Sequence, residues 1–343
     1  ANVRPRVHRR AHMDYVGVKL YRAGGEVAGE LRIVGLFPSA ALATPHAEVP
    51  LIRRKVNEVM RRSGFDPAGH AGKALLAALG AYPRDELFQI GQDQLYDFAR
   101  EIAGLADRPR VLVLPRIDRF DNFVSVLVFV PRDRYTSAVR EAVGRYLARL
   151  YDGRVSAYYP HFPEAELVRV HFIIGRNGGP TPRPERGVLE AAVGELILTF
   201  GDRLLRAAPD AAAVAGWLDA FSPAYQSRNT AADALADIEV IGRLAGETSL
   251  ALKLMERDGA DGAYALKVYH RGKPIPLSDR VPMLENFGFR VIDERTYTVE
   301  PTDGTPVFVH DMVLDAPGAE AFAERAPLVE DAILAVWQTE AES

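Results

Sequence analysis

Residues 277–299, LSDRVPMLENFGFRVIDERTYTV, decide the fold. Ser278 is placed to cap a helix whose opening carries Asp279 and Pro282, and Gly288 falls where a left-handed residue ends one. Beyond it, the β-formers Phe289, Val291, Tyr297 and Val299 are set among charged residues, so the stretch reads helix, tight turn, strand. A hairpin precedes it, pairing Leu250 to Met255 with Tyr264 to Tyr269 across two Asp-Gly turn signals in ERDGADGA. Val307 to Leu314 then reads as a strand and Leu328 to Trp337 as a helix. The order is ββαββα.

The same order occurs earlier in the chain. Arg110 to Leu114 and Phe123 to Val130 form a hairpin, Ser137 to Leu150 a helix, Val155 to Tyr159 and Val168 to Ile174 two strands, and Val188 to Leu205 a helix. The repeat predicts an α+β fold with two ββαββα units, each presenting one sheet face to helices. Neither unit carries a Gly-rich crossover loop, which favours binding or regulatory modules over a catalytic α/β domain.

Around these units the chain is ordinary in composition. Its 343 residues are 48% hydrophobic and 26% charged, with a formal net charge of -4. That balance suits a soluble globular protein and argues against a duplex nucleic-acid partner, which calls for a basic excess. The absence of cysteine excludes disulfides, thiolate chemistry and Cys-based zinc sites and agrees with a reducing cytoplasm. No apolar run is long enough to span a bilayer and no signal-peptide core opens the chain. The first residue is not Met, as expected of a piece of a longer polypeptide.

The first 45 residues read as a basic segment followed by a β-hairpin, with strands around Val16, Val18 and Leu20 and from Glu26 to Phe37. A lone hairpin is rarely stable, so it is expected to complete another domain or pack on the rest. The cluster Arg4, Arg6, His8, Arg9, Arg10, His12 suits an anion site or, preferred here, a solvated or subunit-contacting edge. Val49 to Arg62 is an amphipathic helix closed by Gly64, Asp66-Pro67 opens a second, and Gln92 to Leu105 is a further one. Between the units, 207–245 is Ala-rich and helical with a break at Ser222-Pro223. The spacing of Trp217, Phe221 and Tyr225 predicts one buried helix face.

Motifs for chemistry fail on inspection. GFDPAGHAGKA at 64–74 has His70 where a phosphate loop needs Lys, Ala74 after Lys73, and no preceding strand. His8 and His12 have helical spacing but no neighbouring carboxylate motif for a metal. H-E-x-x-H, G-x-S-x-G and G-x-G-x-x-G are all missing. His161 and His171 are expected as surface or half-buried sheet residues without an assignable acid. The RNA-recognition signature matches only at Arg119, Phe123 and Val124. Catalytic, cofactor-binding and metal residues are therefore expected to be none. The candidate effector or interface residues are Arg290, Asp293 and Arg295, which with Glu294 offer paired charge to a zwitterion, together with Arg9 and Arg10. A solvated strand face is the alternative reading of the former group.

Several stretches carry a resemblance: RPRVHRRAHMDYVGVK at 4–19, VGLFPSAA at 34–41, GFDPAGHAGKALL at 64–76, YPRDELFQI at 82–90, FVPRDRY at 129–135 and PMLENFGFRVIDERTY at 282–297. Together they resemble the large bacterial NAD-specific glutamate dehydrogenases, the class with a very long N-terminal regulatory half. The resemblance implies that the full enzyme converts L-glutamate and NAD to 2-oxoglutarate, ammonium and NADH in a catalytic half C-terminal to this region. It also implies a PAS-like tail at 1–45, a helical segment at 46–108, ACT-like, ferredoxin-like domains at 109–208 and 249–343, and a helical connector at 209–248. The partners it implies are the catalytic half of the same chain, further copies in a homo-oligomer, and an amino-acid effector; NAD belongs to the full enzyme and no cofactor to this region. A purely structural oligomerisation scaffold is the alternative.

Overall fold

The computed structural model describes residues 13–38, 40, 44–244, 250–256, 263–302, 304–315 and 322–337. The chain divides into two compact units, Ala1–Ile197 and Leu198–Ser343.

The first unit opens with an antiparallel hairpin, β1 (Asp14–Tyr21) and β2 (Val27–Gly35). Its register sets Val16 and Val18 opposite Ile33 and Leu31, leaving an exposed aliphatic face. Four helices follow: α1 (Pro50–Ser63), α2 (His70–Ala81), α3 (Arg84–Gln89) and α4 (Gln92–Gly104). Pro50 starts α1, where its missing N–H is harmless, and Gly64 ends it in the left-handed conformation, φ 67°. Asp66 does not cap α2 as expected. Its carboxylate accepts from the Ala68 amide inside a turn, and α2 starts at His70. Gly72 is needed there, because a Cβ would lie 2.0 Å from the Asp66 carbonyl oxygen.

The sheet of the first unit joins β3 (Leu112–Ile117), β4 (Phe123–Pro131), β5 (Gly153–His161) and β6 (Leu167–Arg176) in the order β3-β4-β6-β5, antiparallel throughout. Both faces are buried. Val124, Val126, Val128, Val170, Phe172 and Ile174 pack under α5 (Ser137–Leu150) and α6 (Arg186–Leu196). Leu112, Leu114, Leu127, Phe129 and Leu167 pack against α1–α4 instead. This explains why the run VSVLVFV in β4 is apolar on both sides apart from Ser125, since a strand covered on both sides has no solvent-facing polar side. The expectation of one helix-covered face per sheet is thus corrected to two.

The second unit repeats the plan. The expected helix from Val188 to Leu205 is two helices, because Thr199 and Asp202 form a capping box that starts α7 (Phe200–Ala207). Then come α8 (Ala211–Val214), α9 (Pro223–Gln226) and α10 (Ala231–Gly242), the last opened by a second capping box from Thr230 and Asp233. The sheet β7 (Leu250–Glu256), β8 (Ala263–Arg271), β9 (Arg290–Val299) and β10 (Val307–Asp315) has the order β7-β8-β10-β9. Leu252, Leu254, Leu266, Val268, Met312 and Leu314 face α11 (Leu277–Asn286) and α12 (Phe322–Trp337). Tyr269, Tyr297, Val299, Val307 and Val309 face the α7–α10 block.

Phe221 and Tyr225 are buried as expected, with ring centroids 4.6 Å apart. They do not share a helix face, because Phe221 bridges Val299 of β9 while Tyr225 lies in α9. α11 starts at Leu277, so Pro276 rather than Ser278 is its N-cap and Pro282 sits in the helix interior. Its end is as expected: Gly288 has φ 82°, and the Phe289 amide reaches back to the Leu284 carbonyl at 3.0 Å. α12 begins before the expected Leu328 and contains Pro327. In both sheets the strands lie first-second-fourth-third, a circular permutation of the ferredoxin-like sandwich.

Candidate functional site

Each unit joins its helical block to its sheet through one buried carboxylate. In the first unit Glu86 of α3 receives Arg116 of β3 in a fork, Nε to Oε2 at 2.5 Å and Nη2 to Oε1 at 2.8 Å. Gln89 accepts from the same Nη2 at 3.2 Å. Beside them, Ser125 Oγ lies 2.8 Å from His171 Nε2, and Glu86 Oε1 lies 3.8 Å from that same nitrogen. Burial pushes the His171 imidazole down to about 4, with Glu86 opposing the shift and Arg169 and Arg116 adding to it. His171 is therefore neutral near pH 7, and it is fully buried rather than a surface or half-buried residue.

Ser125 and His171 stand at nucleophile–base distance, which invites a catalytic reading. The geometry refuses it. A triad needs its acid on the imidazole nitrogen opposite the serine, and here both groups face Nε2. Glu86 is also held by Arg116, and the whole group lies under α3.

In the second unit Asp237 of α10 collects four bonds from three donors. Lys267 Nζ donates to both of its oxygens at 2.9 and 2.7 Å, Tyr225 Oη donates at 2.6 Å and Tyr269 Oη at 2.7 Å. Burial and then the adjacent carboxylate hold both phenols protonated, far above the ordinary tyrosine range. The carboxylate is fully satisfied and sealed in, so it has no free lone pair to offer a ligand.

On the opposite face of that sheet, Arg280 of α11 pairs with Glu294 of β9 at 2.8 Å. His310 of β10 sits beside them, its Nε2 accepting the Ile275 amide at 3.1 Å and its Nδ1 lying 2.8 Å from Thr296 Oγ1. An Nε2 that accepts a backbone N–H carries no proton, so His310 is a neutral Nδ1–H tautomer. Burial and the Arg280 charge agree, pushing it down to about 4 against the pull of Glu294.

The expected site residues are therefore divided. Glu294 turns inward to Arg280, whereas Asp293 and Arg295 face out and pair with each other at 2.7 Å. Both are about half exposed, which makes a weak surface bridge. Arg290 is exposed at the start of β9. Arg9 and Arg10 lie outside the described residues. Among the described residues no group of three or more His, Asp or Glu side chains is arranged to hold a metal, and no helix is long and apolar enough to cross a membrane.

Comparison with known families follows the same divisions. The glutamate dehydrogenase helical motif 1 matches residues 49–108, which hold α1–α4. The ACT2 domain of glutamate dehydrogenase matches 111–200 and its ACT3 domain 249–326. The chain carries three regions of the glutamate dehydrogenase family. Among its relatives, an NAD-specific glutamate dehydrogenase of Halomonas elongata is 35% identical over 98% of this chain and 22% of its own length. Those of Mycobacterium tuberculosis and Pseudomonas aeruginosa are 34% and 31% identical over 94% and 98% of the chain. The chain thus spans about a fifth of the glutamate dehydrogenases it matches. In glutamate dehydrogenase terms, Glu86 belongs to helical motif 1, while Arg116, Ser125 and His171 belong to ACT2. Sequence reasoning missed this group, and also Asp237 with its donors. The signal left in the sequence was the appearance of Arg116 and Ser125 within otherwise apolar strands and of Lys267 within the apolar part of β8, Ala263 to Tyr269.

Proposed function

We propose that this chain is the non-catalytic regulatory and assembly region of an NAD-dependent glutamate dehydrogenase. The full-length enzyme then converts L-glutamate, NAD and water to 2-oxoglutarate, ammonium and NADH in the cytoplasm, with catalysis and NAD binding carried by the rest of the same polypeptide. The observation that carries the reading is the pair of ACT matches on sheets whose buried carboxylate partners are spoken for, Arg116 by Glu86 and Lys267 by Asp237. Groups so tied position elements and are not free to act as acid, base or nucleophile. The mechanism is coupling: an amino-acid effector or a neighbouring subunit binds one arrangement of these domains more tightly and shifts the catalytic part by that difference.

The outward charges of the second ACT domain, Arg290, Asp293 and Arg295, are the proposed effector or interface residues; binding there must break the Asp293–Arg295 pair. Arg9 and Arg10 stay with the interface part of this proposal. The division at 45, 108, 208 and 248 is its domain scheme. Calorimetric titration of the chain with amino acids including glutamate and aspartate, and with NAD as control, tests the reading. Saturable amino-acid binding without NAD binding supports it, and NAD binding contradicts it. A second reading, a purely structural oligomer scaffold, is favoured by the exposed aliphatic face of the β1–β2 hairpin. That reading expects homo-oligomers of this chain in sedimentation and no amino-acid binding.

A further inference from the structure

A surface cleft of about 190 Å³ lies between the first turns of α1, the end of α3 and the start of α4, lined by Leu51, Arg54, Lys55, Leu87, Phe88 and Gln92. Its walls are apolar where they meet solvent, Leu51 being 64% and Phe88 37% exposed, and the Phe88 ring is stacked by Phe37 at 5.8 Å. Two cations line it and no carboxylate does. Their situations differ. The Lys55 ammonium gives its three protons to the carbonyls of Leu87, Phe88 and Ile90 at 2.8, 3.0 and 2.7 Å, so it is fixed and contributes charge without needing a further acceptor. Those same bonds occupy the carbonyl end of α3, the part of the cleft that would otherwise attract a cation. Among the described residues no hydrogen bond or ion pair engages the Arg54 guanidinium. A recess with one fixed cation, one guanidinium without a partner among the described residues, an amide and two exposed apolar side chains favours an anion carrying an apolar arm.

We propose that this cleft in helical motif 1 binds a small monocarboxylate with an aliphatic or aromatic arm, its carboxylate on Arg54 and its arm on the exposed Leu51 and Phe88. The cleft is close to the volume of one such molecule and too small for a nucleotide. Binding itself is independent of the regulatory reading above; the consequence for the enzyme rests on that reading, and the experiment separates the two.

The test titrates the 343-residue chain calorimetrically with 4-methylpentanoate and with its neutral isostere 4-methylpentanamide. The acid is expected to bind saturably with Kd on the order of 1 mM, the range for a ligand of about eight heavy atoms. R54Q is expected to weaken it about tenfold or more, and L51E to do the same by adding a carboxylate to the wall; both sites are exposed, so folding is not at risk. The amide is expected to bind the native chain no better than the acid binds R54Q. Absence of saturable binding at about ten times the expected Kd, or equal affinity of R54Q and native chain for the acid, overturns the site. Binding with these properties but no change in glutamate oxidation by the full enzyme leaves the site standing and contradicts only its regulatory use.

Discussion

Two histidines held neutral by their surroundings set how this protein responds to acid. His171 and His310 both titrate near 4 in the fold, against 6.5 for an ordinary imidazole. Below pH 6.5 the unfolded chain takes up protons that the folded chain refuses, so stability is complete above that value and falls as pH drops towards 4. Each histidine contributes on the order of 3 kcal/mol at most to this loss. Urea midpoints measured from pH 7 to 4.5 are expected to fall, and H310Q, which keeps an acceptor for the Ile275 amide, is expected to flatten the profile; an unchanged profile in H310Q would count against the assignment. The carboxylates behave differently. Replacing Glu86 by Gln leaves Arg116 buried without its counter-charge and is expected to cost about 3–5 kcal/mol, whereas the double change E86L/R116M restores most of it. If thermal unfolding shows the double variant no better than E86Q, the pair does more than neutralise itself. None of this was legible in the sequence, because Glu86 and Arg116 are 30 residues apart and periodicity places side chains on faces without naming partners across them.

At the scale of elements, local chemistry was readable where it is self-contained. Gly288 ends α11 in the left-handed conformation, as its place after an amphipathic run predicts, and Gly288→Ala is expected to cost about 1 kcal/mol in urea melts. Helix starts were read less well. Thr199-x-x-Asp202 and Thr230-x-x-Asp233 share one spacing and each forms a capping box, yet Asp in place of Glu or Gln hides the pattern, and the second lies in an Ala-rich region besides. Thr230→Ala is expected to cost about 1 kcal/mol, read as a lowered thermal midpoint, and a cost near zero would mean α10 is held by packing alone. The aromatics at 217, 221 and 225 mislead for a related reason. Spacing of four suggests a helix, but Ser222-Pro223 breaks the chain there, and Phe221 is buried by pairing with β9 instead.

The two compact units follow one plan, a helical block laid on the free face of a ββαββα sheet. The sheets were legible in the sequence; their second cover was not, although the apolar run of β4, interrupted only by Ser125, already called for it. Of the four edge strands of these sheets two are visibly guarded, β5 by an irregular register at Val155/Ala157 and by Pro160, β9 by a register shift, outward charges and the Phe221 bridge to Val299. The plan predicts that residues 44–197 fold alone, whereas 110–197, with Leu112, Leu114, Leu127 and Phe129 uncovered, aggregates or melts without cooperativity. For the enzyme as a whole, the decisive measurement is glutamate oxidation by the full-length protein with and without this region, across a panel of amino-acid effectors. Turnover that persists while the effector response disappears is the result the regulatory account predicts. Full regulation by the truncated enzyme, or NAD-dependent glutamate turnover by this chain alone, would contradict it.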